Sequence, residues 1–138
     1  MKVEDITSAQ NPKIKALLEL QEKSEVRKRK GLFVVEGRRE LLHCMEAGYE
    51  PYAVFFSPEI LPEEEFKEIS AKCSCSFYEV PRQLYDKVAY RGGTEGVIAE
   101  LRCREMGLGN LILKENPLVV VLESVEKPGN LGAVLRSA

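Results

Sequence analysis

Residues 32–56 read LFVVEGRRELLHCMEAGYEPYAVFF. Leu32-Phe33-Val34-Val35 is a short apolar run with aromatic and β-branched side chains, which suits a buried strand. Gly37 breaks that run. From Arg38 to Ala47, Leu41, Leu42 and Met45 recur on one helical face, and Gly48 is placed to end the helix. Tyr52-Ala53-Val54-Phe55-Phe56 is then a second strand, stopped by Ser57-Pro58. Strand, helix and strand in succession point to an α/β sandwich.

The same alternation extends both ways. Upstream, Ile14, Leu17 and Leu18 share one face of a helix expected over residues 13–26, with Pro12 in its first turn. That helix fades into Arg27-Lys28-Arg29-Lys30, and Gly31 stops it. Downstream, Pro62 and the acidic run Glu63, Glu64 and Glu65 begin a helix, because carboxylates favour the positive end of its dipole. Phe66, Ile69 and Cys73 line its inner face. Ser76–Val80 is a third strand. Pro81 opens a short helix with Leu84 and Val88 inside, Gly92-Gly93 makes a turn, and Gly96–Leu101 is a fourth strand.

The chain has 138 residues, of which 44% are hydrophobic and 30% charged, a composition that excludes a disordered tail. Its longest unbroken apolar run in this reading, Leu118–Leu122, is far too short to span a membrane. Residues 1–20 are charged throughout and do not read as a signal peptide, so a cytoplasmic location is expected. The four cysteines, Cys44, Cys73, Cys75 and Cys103, are then expected to be free thiols. Cys73 and Cys75 are too close together for a zinc pair and have no matching second pair, so no metal is expected. His43, the only histidine, sits on a helix beside Leu42 and is given no acid–base role.

Charge is unevenly spread. Residues 1–45 carry ten Lys/Arg against seven Asp/Glu, whereas residues 46–80 carry two against eight. The quartet Arg27, Lys28, Arg29 and Lys30, with Lys13, Lys15, Arg38 and Arg39, is a candidate phosphate-binding surface. On the residues alone, a solvated helix end is the simpler reading, since the net charge is −2.

Residues 105–116 read as a connector. Leu118-Val119-Val120-Val121-Leu122 is then expected to be a strand of the kind buried on both faces in a parallel sheet. A loop leads to Asn130–Ala138, where Leu131, Val134, Leu135 and Ala138 recur at helical spacing. Lys127-Pro128-Gly129-Asn130 has neither a nucleoside-triphosphate loop nor a dinucleotide fingerprint. Its plain reading is a tight turn with Asn130 capping the helix. One strand and about two helical turns cannot cover their own apolar faces. The expected division is therefore a domain over 1–104, a linker over 105–116, and the opening βα unit of a second, truncated domain over 117–138.

The stretch from Leu118 to Ala138, with Asn130, Gly132 and Arg136 in the pattern Asn-x-Gly-x-x-x-Arg, resembles the first motif of SpoU/TrmH-type RNA ribose 2′-O-methyltransferases of the SPOUT class. Ser8-Ala9-Gln10-Asn11-Pro12-Lys13-Ile14-Lys15, Arg27, Phe33–Arg38 and Gly96–Ala99 resemble the substrate-binding domain that precedes it in that family. Lys127 departs from the acidic residue many members carry before the proline.

The resemblance implies a small α/β sandwich RNA-binding domain followed by the start of a trefoil-knot domain. It implies S-adenosyl-L-methionine as methyl donor, with its site outside this chain. It implies rRNA or tRNA as partner, and a homodimer for the longer protein. Arg136 is then placed at the ribose hydroxyl and Asn130 helps to hold it. An arginine is essentially always protonated. Hydroxyl positioning with oxyanion stabilisation and a literal general-base role both stay open. With the family in view, Lys13, Lys15, Arg27, Lys28, Arg29, Lys30, Arg38 and Arg39 become RNA contacts, and the acidic stretch 59–68 the opposite, solvated face. The chain alone is expected to be inactive. The alternative is a stand-alone, non-catalytic RNA-binding module.

Overall fold

The computed structural model describes residues 3–90 and 95–137, and divides into two units, Met1–Glu105 and Met106–Ala138. The first holds a five-stranded sheet. Its strands are β1 (Val3–Asp5), β2 (Leu32–Glu36), β3 (Pro51–Phe56), β4 (Ser76–Glu79) and β5 (Val97–Arg102), in the order β1-β4-β3-β5-β2. β1, β4 and β3 run parallel, and β5 lies antiparallel between β3 and β2. Helices α1 (Pro12–Glu22), α2 (Ser24–Lys30), α3 (Arg38–Glu46), α4 (Glu63–Lys72) and α5 (Arg82–Val88) pack around it.

The sheet is covered on both faces. Ile14 and Leu17 of α1 and Leu84, Tyr85 and Val88 of α5 bury against Ala53, Phe55 and Ile98. Leu41 of α3 and Ile69 of α4 bury against Val54, Phe56, Phe77, Val97 and Leu101 on the other face. Alternation along β3 and β5 sends successive side chains to opposite layers. Each buried aliphatic or aromatic side chain contributes roughly 1.5–3 kcal/mol from the water it leaves.

Three differences from the sequence reading have physical causes. The single helix over 13–26 is two, α1 and α2, separated at Lys23, whose backbone is extended (φ −110°, ψ 110°). Arg27–Lys30 are the last turn of α2 and not a frayed end, and Gly31 ends that helix in the left-handed region (φ +61°). β1 has no periodicity to reveal it, because a three-residue edge strand is defined by its ladder to β4 and not by its own pattern. The Gly92-Gly93 turn lies outside the described residues.

The second unit holds a single 3-10 turn at Leu108–Asn110 and helix α6 (Pro128–Ser137). The strand expected at Leu118–Leu122 is not formed. Leu118 is 91% exposed and Val121 85%, and no strand pairs with this run among the described residues. A strand of buried type needs neighbours to satisfy its backbone and cover its faces, and this unit supplies none. α6 begins at Pro128, so Asn130 lies within its first turn and is not the residue that caps it. Proline is well suited to that first helical position.

Candidate nucleic-acid interface

Helix α1 starts where Asn11 caps it, its side chain accepting from the Lys13 backbone N–H at 2.9 Å. This fixes Lys13 at the edge of the sheet. The Lys13 Nζ lies 2.6 Å from the Glu4 carboxylate and 4.4 Å from the centre of the Tyr78 ring. The hydrogen bond to Glu4 raises the Lys13 pKa and keeps the ammonium charged. Lys15 is exposed on the same helix.

The basic quartet divides by role. Arg27 is half-buried, and its Nη1 donates to the carbonyls of Leu20 (2.7 Å) and Gln21 (3.0 Å). It thereby satisfies carbonyls that the end of α1 leaves open and holds α2 against it. Lys28 makes a loose exposed pair with Glu25 at 3.9 Å, which contributes little. Arg29 and Lys30 are exposed, and neither has an ion pair among the described residues.

Arg38 and Arg39 belong to α3, on the other face of the sheet. Arg38 is gripped by α4: its Nη2 donates to Glu68 at 2.6 Å, and its Nε lies 3.6 Å from Glu65. Glu65 and Glu68 of the acidic stretch are therefore partners of Arg38, not only a solvated face. The Arg39 side chain is exposed, while its backbone N–H donates to Glu95 at 3.0 Å. The structure thus does not gather all eight basic candidates on one surface.

It does bring Lys13 and Lys30 together. They line one open cleft of about 530 Å³, where the sheet emerges from under α1. Tyr52 and Ala53 of β3, Tyr78 of β4, and Glu100 and Arg102 of β5 complete its main surface. Ala53 stands opposite Glu100 in the ladder, and its small side chain leaves the floor open. The Arg102 guanidinium lies 5.0 Å from the Tyr52 ring centre, a cation stacked on an aromatic face. Glu100 is only 5% exposed. Burial pushes its carboxyl up to about 7, against the opposing pull of the Lys30 charge. Sequence reasoning missed Tyr52, Tyr78, Glu100 and Arg102. The signal available was Glu100 itself, a lone carboxylate in the run Val97-Ile98-Ala99-Glu100-Leu101.

Asn130 and Arg136 lie on α6, both exposed, and among the described residues neither side chain makes a hydrogen bond or ion pair. A side chain at Gly132 would meet the Arg136 Nη1 at 3.3 Å, so the guanidinium lies back along its own helix over that glycine. Every described side chain from 106 to 137 is exposed except at Gly132 and Val134. Among the described residues no cluster of three His, Cys, Asp or Glu side chains suits a metal ion. No described helix is long and apolar enough to cross a membrane.

A three-layer sheet domain with a basic, aromatic cleft, followed by a separate helical unit, defines the class: an α/β domain with an open binding cleft. The profile described as MRM3-like substrate binding domain matches residues 11–99, and the chain belongs to that family. Among relatives, the mitochondrial rRNA methyltransferase 3 of Mus musculus is 32% identical over 117 residues, covering 81% of this chain and 27% of that protein. An uncharacterized tRNA/rRNA methyltransferase of Mycolicibacterium vanbaalenii is 28% identical over 113 residues, covering 75% of this chain and 36% of that protein. The crystal structure of an RNA 2′-O ribose methyltransferase superposes with a TM-score of 0.75 at 34% identity, over 96% of this chain and 50% of the other. The SpoU methyltransferase AviRb from Streptomyces viridochromogenes, solved with AdoMet, shares the fold at TM-score 0.79 and 19% identity, over 93% of this chain and 49% of the other. The chain therefore spans about half or less of the length of the proteins it resembles.

Proposed function

We propose that this chain is the RNA-grasping part of an S-adenosylmethionine-dependent ribose 2′-O-methyltransferase acting on rRNA or tRNA. The likeness to an RNA 2′-O ribose methyltransferase over 96% of the chain at 34% identity carries this reading. In it, residues 105–116 are the linker and residues 117–138 the opening βα unit of the methyl-transferring domain. The uncovered apolar side chains of Leu118–Leu122, and of Leu131 and Leu135, are the faces that domain would bury. Asn130 and Arg136 stand at the ribose hydroxyl, where a fixed guanidinium stabilises the charge that develops as the oxygen attacks. Held by residues outside this chain, the cofactor would supply the methyl group. The longer protein is read as a cytoplasmic homodimer.

Lys15, Arg29 and Lys30 are the exposed cations best placed to meet phosphates, which position RNA without reading its sequence. Reversing these three to Glu leaves Arg27 and the α1–α2 junction intact. Binding of a labelled single-stranded RNA should fall at least tenfold. The slope of log K against log salt should flatten by about 2, near 0.7 for each lost contact. An unchanged slope would move the RNA surface elsewhere.

A further inference from the structure

Glu100 has no role in the reading above, yet it is the charged residue most deeply placed in the cleft. It sits on β5, flanked in the sheet by Val34 on β2 and Ala53 on β3. Such a position normally holds an apolar side chain, as Ile98 and Leu101 do on the same strand. Among the described residues no group donates a hydrogen bond to its carboxyl, and no cation lies within ion-pair distance of it. Its oxygens are not among the sealed, unpartnered polar atoms, so the open cleft reaches them, and a largely buried carboxyl with no protein donor marks a place where a ligand can supply what the fold withholds.

The surroundings indicate the ligand. The Arg102 guanidinium stacked on Tyr52 presents a flat face, while Lys13, lying over the Tyr78 ring, and Lys30 supply positive charge at the same cleft. Flat aromatic and guanidinium surfaces hold unpaired bases, and cations hold the phosphates that join them. A carboxylate has two acceptor oxygens and no donor. Of the four RNA bases, guanine alone brings two parallel N–H donors on its pairing edge, from N1 and the 2-amino group. Uracil offers one N–H between two carbonyls, which a carboxylate repels. Cytosine and adenine each offer one amino group beside an acceptor nitrogen.

We propose that the cleft under α1 is a base-reading pocket for an unpaired guanosine, with the Glu100 carboxylate accepting from the N1 and 2-amino groups. This rests on the chain being an RNA-binding domain and adds to it a place where RNA sequence is read. The phosphate contacts of α1 and α2 do not supply such readout.

The test uses the whole chain and short labelled RNAs at low salt, followed by fluorescence anisotropy. A hexanucleotide with one guanosine among uridines should bind at least tenfold more tightly than hexauridine. Replacing that guanosine with inosine, which lacks the 2-amino group, should remove most of the difference. The variant Glu100→Gln is nearly isosteric and removes the charge without opening a cavity. It should bring the two RNAs within about threefold of each other while the salt slope stays as in the parent. RNA binding with no preference for guanosine, or a preference that survives Glu100→Gln or inosine, overturns the pocket and leaves the RNA-binding reading standing. Failure of both RNAs to bind sinks both.

Discussion

Two five-residue runs, VIAEL at 97–101 and LVVVL at 118–122, have opposite fates. The first carries a carboxylate and still forms the central part of β5, with ladders to β3 and β2 and every residue buried. The second is wholly apolar, richer in β-branched residues, and forms no strand. Composition alone would rank them the other way. A strand is made by neighbours on both edges and cover on both faces, and intrinsic preference decides only when those are present. The contrast is most sharply tested by placing the same charge in each. Ile98→Asp puts an unpaired carboxylate into the α1–sheet core, at a cost of several kcal/mol in a fold worth about 5–15 kcal/mol. The cooperative unfolding transition of the first unit should be lost or fall far below room temperature in a melt followed by circular dichroism. Val120→Asp should move that transition by no more than about 0.5 kcal/mol. Equal effects would mean that residues 118–122 are packed after all.

The contrast also shows where sequence reading succeeds. Four of the five strands and the helices beginning at Pro12, Arg38, Glu63 and Arg82 could be read from runs, punctuation and periodicity, because each carries its own apolar face. β1 could not, since Val3–Asp5 exposes most of its side chains and exists only as a partner of β4. The break at Lys23 could not either: the apolar positions Leu20 and Val26 suit both one helix and two. What separates them is the Arg27 guanidinium on the last carbonyls of α1, a contact between positions seven and six residues apart. For the cleft, Lys13 and Lys30 were individually visible as cations, but their convergence is a property of the sheet. Tyr52, Tyr78 and Arg102 meet them only through the pairing of β3 with β4 and β5. Glu100 was in plain view within a strand, where an unexplained charge is itself a signal.

That charge sharpens the comparison at intermediate size. The folded protein holds the Glu100 proton up to about 7, whereas the unfolded chain releases it near 4.5. The folded state therefore binds that proton more tightly. Its stabilising contribution is complete below 4.5 and is lost as pH rises from 4.5 through about 7. Linkage makes the loss on the order of 3 kcal/mol. Glu63 and Glu68, whose pKa values are lowered by Lys67 and by Lys72 with Arg38, act with the opposite sign and below 4.5. Glu100→Gln should thus be more stable than the parent in urea unfolding at pH 8, with the difference shrinking toward pH 4.5. A difference independent of pH would show that Glu100 does not titrate in this range.

The smallest effect separates two arginines that sequence treats alike. Arg27 bridges α1 and α2 through two backbone carbonyls, whereas Arg136 lies exposed along α6. Arg27→Ala should lower stability by about 1.5–3 kcal/mol, the range for hydrogen bonds made by a charged group. Arg136→Ala should change it by less than about 0.5 kcal/mol. Arg27→Lys distinguishes the two reasons for a cation at that position. Lysine keeps the charge but cannot direct a planar fork at two adjacent carbonyls. If the residue serves chiefly as a clamp, Arg27→Lys should lose nearly as much stability as Arg27→Ala while RNA affinity, measured well below the melting temperature, stays within about threefold of the parent. If RNA affinity falls with alanine and returns with lysine while stability is unaltered throughout, Arg27 is a phosphate contact and α1 and α2 are held together by Leu20, Val26 and Leu32 alone.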